Sequence, residues 1–224
     1  MEFYFHINIH FSGWQWYIYA PTKYMIPTDS FRKNWPLVFS KRNSFSEKGL
    51  IPFRLPLSIS QFLLEFGLPD SAAPCLSFVG NRQENEYGYG AICLLNERYD
   101  FLSDKYNTYI VIGSDGSGNP VVLDTTRDNL VEVLDHEDLF ESAYFVNSSL
   151  PQMAACLLVY QQFINIANEE NNFEGPDNFT DSQYKKLKAA LEEIDTVCIR
   201  SGLWHDELNL LLVYREDSQN NSSL

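Results

Sequence analysis

The stretch from Tyr109 to Phe163, YIVIGSDGSGNPVVLDTTRDNLVEVLDHEDLFESAYFVNSSLPQMAACLLVYQQF, constrains the fold more than any other part of the chain. Tyr109-Ile110-Val111-Ile112 is aromatic and β-branched, a composition that fits a pleated surface. GSDGSGNP then gathers turn formers: glycine accepts positive φ, and Asp115 and Asn119 can bond their own backbone. Val121 to Asp124 returns as the partner strand, and Leu130 to Leu134 and Ala143 to Val146 predict two more. Asn147-Ser148-Ser149 stops the sheet, and Ser149 with Gln152 has the spacing of a capping box. Leu150, Ala154, Leu157, Leu158, Gln161 and Ile164 then follow helical spacing, to about Asn168. Strands joined in order by short turns imply an antiparallel meander with helices packed on it, an α+β fold.

The flanks extend this picture. Leu57 to Phe66 predicts a helix, with Ser58 and Gln61 as a capping box and Gly67 and Pro69 as the stop. Before it, 25–56 is irregular and punctuated by four prolines, with room for a short helix around Asp29 to Asn34. Ala73 to Val79 and Tyr89 to Leu95 read as strands separated by a polar connection. Thr180 with Gln183 caps a later helix whose stripe is Leu187, Leu191, Ile194 and Cys198; Gly202 breaks it, and Leu203 to Val213 makes a last helix. At the other end, Phe3, Phe5, Ile7, Ile9 and Phe11 alternate with polar or aromatic residues, Ser12-Gly13 turns, and Trp14, Trp16 and Ile18 alternate back. That is a hairpin pattern. The first basic residue is Lys23, so the positive start of a signal peptide is missing, and Glu2, His6, Asn8 and His10 interrupt any membrane span. The expected organisation is a hairpin appendage over 1–26, one domain over 27–214 and a flexible tail over 215–224.

Charge narrows the class of partner. The chain of 224 residues has 30 acidic and 16 basic residues, a net charge of −14. Phosphate neutralisation needs Lys and Arg, so a nucleic acid is not expected as partner, nor is an anionic membrane surface. Residues 1–60 are net +4, which leaves −18 on the remainder. The densest acidic run, Asp128 to Glu141, holds Asp128, Glu132, Asp135, Glu137, Asp138 and Glu141 with no Lys or Arg. Such a run is either a solvated, solubilising face or a surface complementary to a basic protein. Asp135, Glu137, Asp138 and Glu141 are the first candidates for partner contact. Glu84, Glu86, Tyr87 and Tyr89, an acidic and aromatic connection beside a strand, are the second, because loops on a rigid sheet often carry recognition.

YIVIGSDGSGNPVVLD, SAYFVNSSLPQMAACLLVY and, upstream, FLLEFGLP from Phe62 to Pro69 together resemble the SUKH superfamily, and most closely its fourth subfamily of bacterial immunity proteins. The pattern is a Gly-Leu-Pro after an early helix, an Ile-Gly-x-Asp hairpin, and an aromatic-x-Asn-Ser-Ser element that opens a helix. The resemblance spans about Leu57 to Val213. It implies a SUKH-like sheet backed by helices, and a non-enzymatic protein that binds a cognate polymorphic toxin, often a nuclease or deaminase. A basic toxin would suit the acidic surface. Some relatives are regulatory adaptors, so a host protein partner is the alternative, and a small hydrolase with a site assembled from distant residues is a third reading.

Candidate chemistry is sparse. His6 and His10 share a strand face, but no third metal ligand is near in sequence. His136-Glu137-Asp138 and His205-Asp206-Glu207 are sequence neighbours, which do not face each other on regular elements. Asp115, Ser117 and Asn119 echo a calcium loop, yet the sixth position is Pro120 and the twelfth Thr126. No phosphate cradle or nucleophile elbow is present, and no cofactor is expected. The four cysteines, Cys75, Cys93, Cys156 and Cys198, form no CxxC pair and read as buried reduced thiols of a cytoplasmic protein. Trp204 reads as core packing of the last helix.

Overall fold

The computed structural model describes residues 8–11, 14–17, 28–81, 90–170 and 178–221, the first two stretches and 219–221 as backbone only. β1 (Asn8–Phe11) and β2 (Trp14–Tyr17) pair antiparallel, Phe11 opposite Trp14, as the N-terminal alternation predicts. The chain then forms α1 (Asp29–Val38), β3 (Arg42–Asn43), α2 (Glu47–Leu50), a 3₁₀ turn (Ile51–Phe53) and α3 (Leu57–Phe66). Five short elements follow: β4 (Leu68–Pro69), β5 (Ser71–Ala72), β6 (Leu76–Phe78), β7 (Cys93–Leu94) and α4 (Leu95–Arg98). A 3₁₀ turn (Asp104–Thr108) leads into β8 (Tyr109–Ser114), β9 (Pro120–Asp124), β10 (Leu130–Leu134) and β11 (Ala143–Asn147). The helices α5 (Leu150–Glu170), α6 (Asp181–Ile194) and α7 (Leu203–Asn221) complete the chain.

The main sheet is an antiparallel meander in the order β11-β10-β9-β8-β6-β5. β7 also pairs with β8, so β6 and β7 lie end to end along one edge of it: Phe78 opposes Gly113, and Cys93 opposes Val111. Gly113 is required there, because a Cβ would stand 2.3 Å from the Ser77 carbonyl oxygen. The Asp115 carboxylate accepts from the Ser117 and Asn119 backbone N–H groups (2.8 and 2.9 Å) and from Asn119 Nδ2 (3.0 Å), so it ties the β8–β9 turn.

Strand alternation divides the core in two. Ile110, Ile112, Val121, Leu123, Val131 and Val133 face the helices and join the large core. Val111, Val122 and Leu134 face the other way and pack with Leu95, Tyr106 and Phe140 in a smaller one. α4, the Asp104–Thr108 turn and the loop after β10 thus cover the second sheet face. These two single-turn elements have too few residues to show a period in the sequence.

α5 packs against the sheet at β10 and β11 and against α1, α3 and α6. The sequence predicts an amphipathic helix with one apolar stripe; instead every residue from Met153 to Tyr160 is buried. A helix apolar on all sides is a central one. α3 starts at Leu57 behind Pro56 without a side-chain cap, so the Ser58–Gln61 capping box does not form. The Thr180–Gln183 box does, with Gln183 N–H 3.2 Å from Thr180 Oγ1 and Thr180 N–H 2.7 Å from Gln183 Oε1. α7 runs past Val213, where the apolar spacing ends, to Asn221; Arg215 pairs with Asp181 at 2.8 Å and lies over the Phe179 ring.

Gly202 precedes α7 at φ +89°, and a Cβ on it would lie 2.1 Å from the Phe145 carbonyl oxygen. Left-handed backbone costs a non-glycine residue about 1–2 kcal/mol before any clash. Gly202→Ala is therefore expected to destabilise the protein by about 2 kcal/mol or more. For a chain of this size that lowers the thermal midpoint by about 4–8 °C, which calorimetry would show.

Candidate functional site

The loop between β10 and β11 carries the first group of candidate residues, and its acids are of two kinds. Asp135 Oδ1 accepts from the Glu137 N–H at 2.8 Å, and Asp138 Oδ1 accepts from the Glu141 and Ser142 N–H groups at 3.1 and 3.3 Å. Hydrogen bonds from Ser142 hold the Asp138 carboxyl below its ordinary range. These two carboxylates shape the loop. Glu137 is exposed, and among the described residues its carboxylate meets no hydrogen-bond or ion-pair partner. Glu141 is exposed too, but Lys105 Nζ and the Tyr106 hydroxyl bond its Oε1 at 2.8 and 3.1 Å. Together they hold its carboxyl low, and the same contact raises the Lys105 ammonium.

The loop is anchored at both ends. Asp135 N–H reaches the Ser142 carbonyl at 3.1 Å, and Phe140 N–H reaches the Asp135 carbonyl at 2.7 Å. The His136 N–H donates to Asn119 Oδ1 at 3.0 Å, and His136 Nδ1 lies 2.7 Å from the same oxygen. His136 therefore docks the loop on the β8–β9 turn. The Tyr106 hydroxyl donates to the Leu139 carbonyl at 3.1 Å, and the Phe140 ring is buried against Tyr99, with centroids 4.6 Å apart. Lys105 and Tyr106 are thus part of the site's support, and their place on a single 3₁₀ turn gives no sequence signal.

The second group, Glu84, Glu86, Tyr87 and Tyr89, falls in 82–89 and lies outside the described residues. Within the acidic run, Glu132 is not a surface residue: it is 3% exposed. It sits on the second sheet face beside Asp124, and Arg127 bridges both carboxylates, with Nε 2.8 Å from Asp124 Oδ2 and Nη2 on Glu132 Oε2. Burial raises the Asp124 carboxyl, but hydrogen bonds from Thr126 and Arg127 outweigh it and leave the group below its ordinary value.

The Asn-Ser-Ser element after β11 has a structural role. Asn147 Nδ2 donates to Asp195 Oδ2 at 3.1 Å and Oδ1 accepts from Trp204 Nε1 at 2.8 Å. Ser148 gives Asp195 both its N–H, at 2.7 Å, and its hydroxyl, at 3.0 Å. Gln152 Nε2 donates to the Ile194 carbonyl at 2.9 Å. One buried polar knot thereby joins β11, the start of α5, the end of α6 and α7. Trp204 is core, as its apolar setting predicts.

Cys156 and Cys198 are buried, whereas Cys75 is exposed and Cys93 half-buried, so the expectation of buried thiols fails at Cys75. Cys75 stands at φ +52° in the turn before β6, which puts it at the surface. Burial pushes the Cys156 thiol well up and keeps it in the non-nucleophilic protonated form. His205 is engaged by the Ile199 carbonyl, 3.0 Å from Nδ1, and by Asn209. Among the described residues no three of His, Cys, Asp and Glu converge as metal ligands would, and no helix is long and apolar enough to cross a membrane.

The candidate site is thus an acidic loop fixed on the outer face of an antiparallel sheet. No curated protein and no solved structure is significantly similar to the chain. The family model for the SUKH-4 immunity protein matches residues 44–209, from the segment after β3 into α7 and across the whole main sheet. The chain belongs to the SUKH-4 immunity protein family.

Proposed function

We propose that this protein binds a cognate toxin and neutralises it by occlusion, without catalysis of its own. The family match over 44–209 carries this reading. The loop Asp135–Ser142 would supply the electrostatic part of the contact, with Glu137 as its freest carboxylate. The net charge of −14 favours a basic partner, and a toxin that handles nucleic acid must itself be basic. Because backbone hydrogen bonds and buried aromatics already fix the loop, little ordering entropy would be lost on docking.

Charge of this kind acts mainly on the association rate. Glu137→Lys is expected to slow association with the toxin severalfold in dilute salt, and the difference should vanish near 1 M salt, where the screening length is about 3 Å. Stopped-flow binding at the two salt concentrations measures this. Equal rates for the variant and the unaltered chain in dilute salt would remove Glu137 from the surface. Asp135 and Asp138 are poorer probes, because replacing them would also loosen the loop.

A further inference from the structure

Two large apolar side chains in the outer layer of the sheet stand largely in water. Phe101 is 65% and Leu139 62% exposed, and they come from different segments, one after α4 and the other in the β10–β11 loop. Tyr99 ties the two segments together: its ring centroid lies 6.1 Å from that of Phe101 and 4.6 Å from that of the inward-facing Phe140, which follows Leu139 in the chain. Leu139 and Phe140 stand at φ +61° and +65°, two successive non-glycine residues in the left-handed region. That conformation is costly for a leucine and persists only where the surroundings over-determine it. Here the Phe140 N–H to Asp135 carbonyl bond, the Tyr106 hydroxyl on the Leu139 carbonyl and the burial of the Phe140 ring do so. The result is that Phe140 goes inward and Leu139 is held out in water. Exposed acids accompany the pair: Asp100 next to Phe101, Asp104 in the turn beyond, and Glu137 in the same loop as Leu139.

We infer that Phe101 and Leu139 are the apolar anchors of the partner-binding surface, seated in an apolar pocket of a basic toxin whose Lys and Arg side chains meet the surrounding carboxylates; this rests on the immunity reading above. Apolar side chains ringed by charge form the arrangement in which a few central residues hold most of an interface. The strained loop would present Leu139 in its bound position beforehand.

The test uses the full chain and, as probe, basic toxin effector domains cloned from the genome that carries its gene. Leu139→Asn removes the anchor and suits left-handed backbone better, so the variant should melt no lower than the unaltered chain. Phe101→Ser removes the other anchor without touching the strained loop. Each should raise the dissociation rate about tenfold or more, while Leu37→Asn, at a 70% exposed position on α1, should leave it unchanged. If the unaltered chain binds and both variants dissociate at its rate, the anchor assignment is overturned and the immunity reading stands. If the unaltered chain binds none of these effector domains, the immunity reading fails and the anchors lose their occupant with it.

Discussion

Replacing Arg127 with alanine is expected to cost about 3 kcal/mol of folding stability at neutral pH. The Asp124 and Glu132 side chains are only 2% and 4% exposed, and the guanidinium lies across both. Removing one partner of a buried ion pair typically costs about 3–5 kcal/mol, because the other charge is left desolvated and unmatched. The lower end applies here, since the Arg127 side chain is 51% exposed and water can follow it out. Asp124 also keeps its bonds from the Thr126 N–H and hydroxyl, at 2.9 and 2.6 Å. The pH dependence has a definite sign. In the intact protein the Asp124 carboxyl lies below its ordinary value. Its contribution is therefore present above the unfolded value of about 4 and is lost as pH falls through the folded one. In Arg127→Ala the burial of Asp124 is opposed only by its Thr126 bonds, its carboxyl rises, and the variant should approach the unaltered chain in stability as pH falls toward 4. Arg127→Lys should recover only part of the loss, because one ammonium cannot fork between two carboxylates. Urea denaturation at pH 7 and pH 4 measures all of this. A loss below about 1 kcal/mol at pH 7 would contradict the bridging role.

The other large effect is expected at Trp204. It is fully buried, its ring centroid is 5.5 Å from that of Tyr160, and its Nε1–H is bonded to Asn147. Truncating a buried tryptophan to alanine costs about 3–5 kcal/mol through lost transfer energy and the cavity left behind. The orphaned Asn147 Oδ1 adds to this, since an unsatisfied buried acceptor costs about 1–3 kcal/mol. Trp204→Ala should therefore lose about 5 kcal/mol, enough to bring a domain at the lower end of the usual range of about 5–15 kcal/mol to its unfolding midpoint. Trp204→Phe keeps most of the packing and loses the hydrogen bond, so it should cost about 2 kcal/mol. Soluble yield and denaturation midpoints of the two variants separate the cavity from the bond. If the two variants were equally stable, Trp204 would not tie α7 to β11 as described.

The residues that make the sheet were legible because their pattern is local. The β-branched and aromatic run Tyr109–Ile112 and the mostly apolar run from Val121 to Asp124, set around a Gly- and Asn-rich turn, admit little but a hairpin, and that is β8–β9. Thr180 and Gln183 announce a helix start for the same reason. What the sequence concealed depends on contacts between distant segments. Leu95–Arg98 and Asp104–Thr108 are single turns without a period, yet they cover the second sheet face. Glu132 reads as one more surface acid until strand alternation turns it inward onto Arg127. Asn147 reads as a strand stop, but its partners Asp195 and Trp204 lie 48 and 57 residues away. The acidic character of the β10–β11 loop could be read directly. That Asp135 and Asp138 are turned to the backbone while Glu137 is left free could not, because the loop's path decides it.

Growth of a host that expresses a basic toxin effector domain cloned from the genome that carries this gene, with and without this chain, tests the central claim most directly. Protection by the unaltered chain, with a one-to-one complex recovered from the protected cells, is the expected result. Growth arrest that persists although the folded chain is present in excess would contradict it.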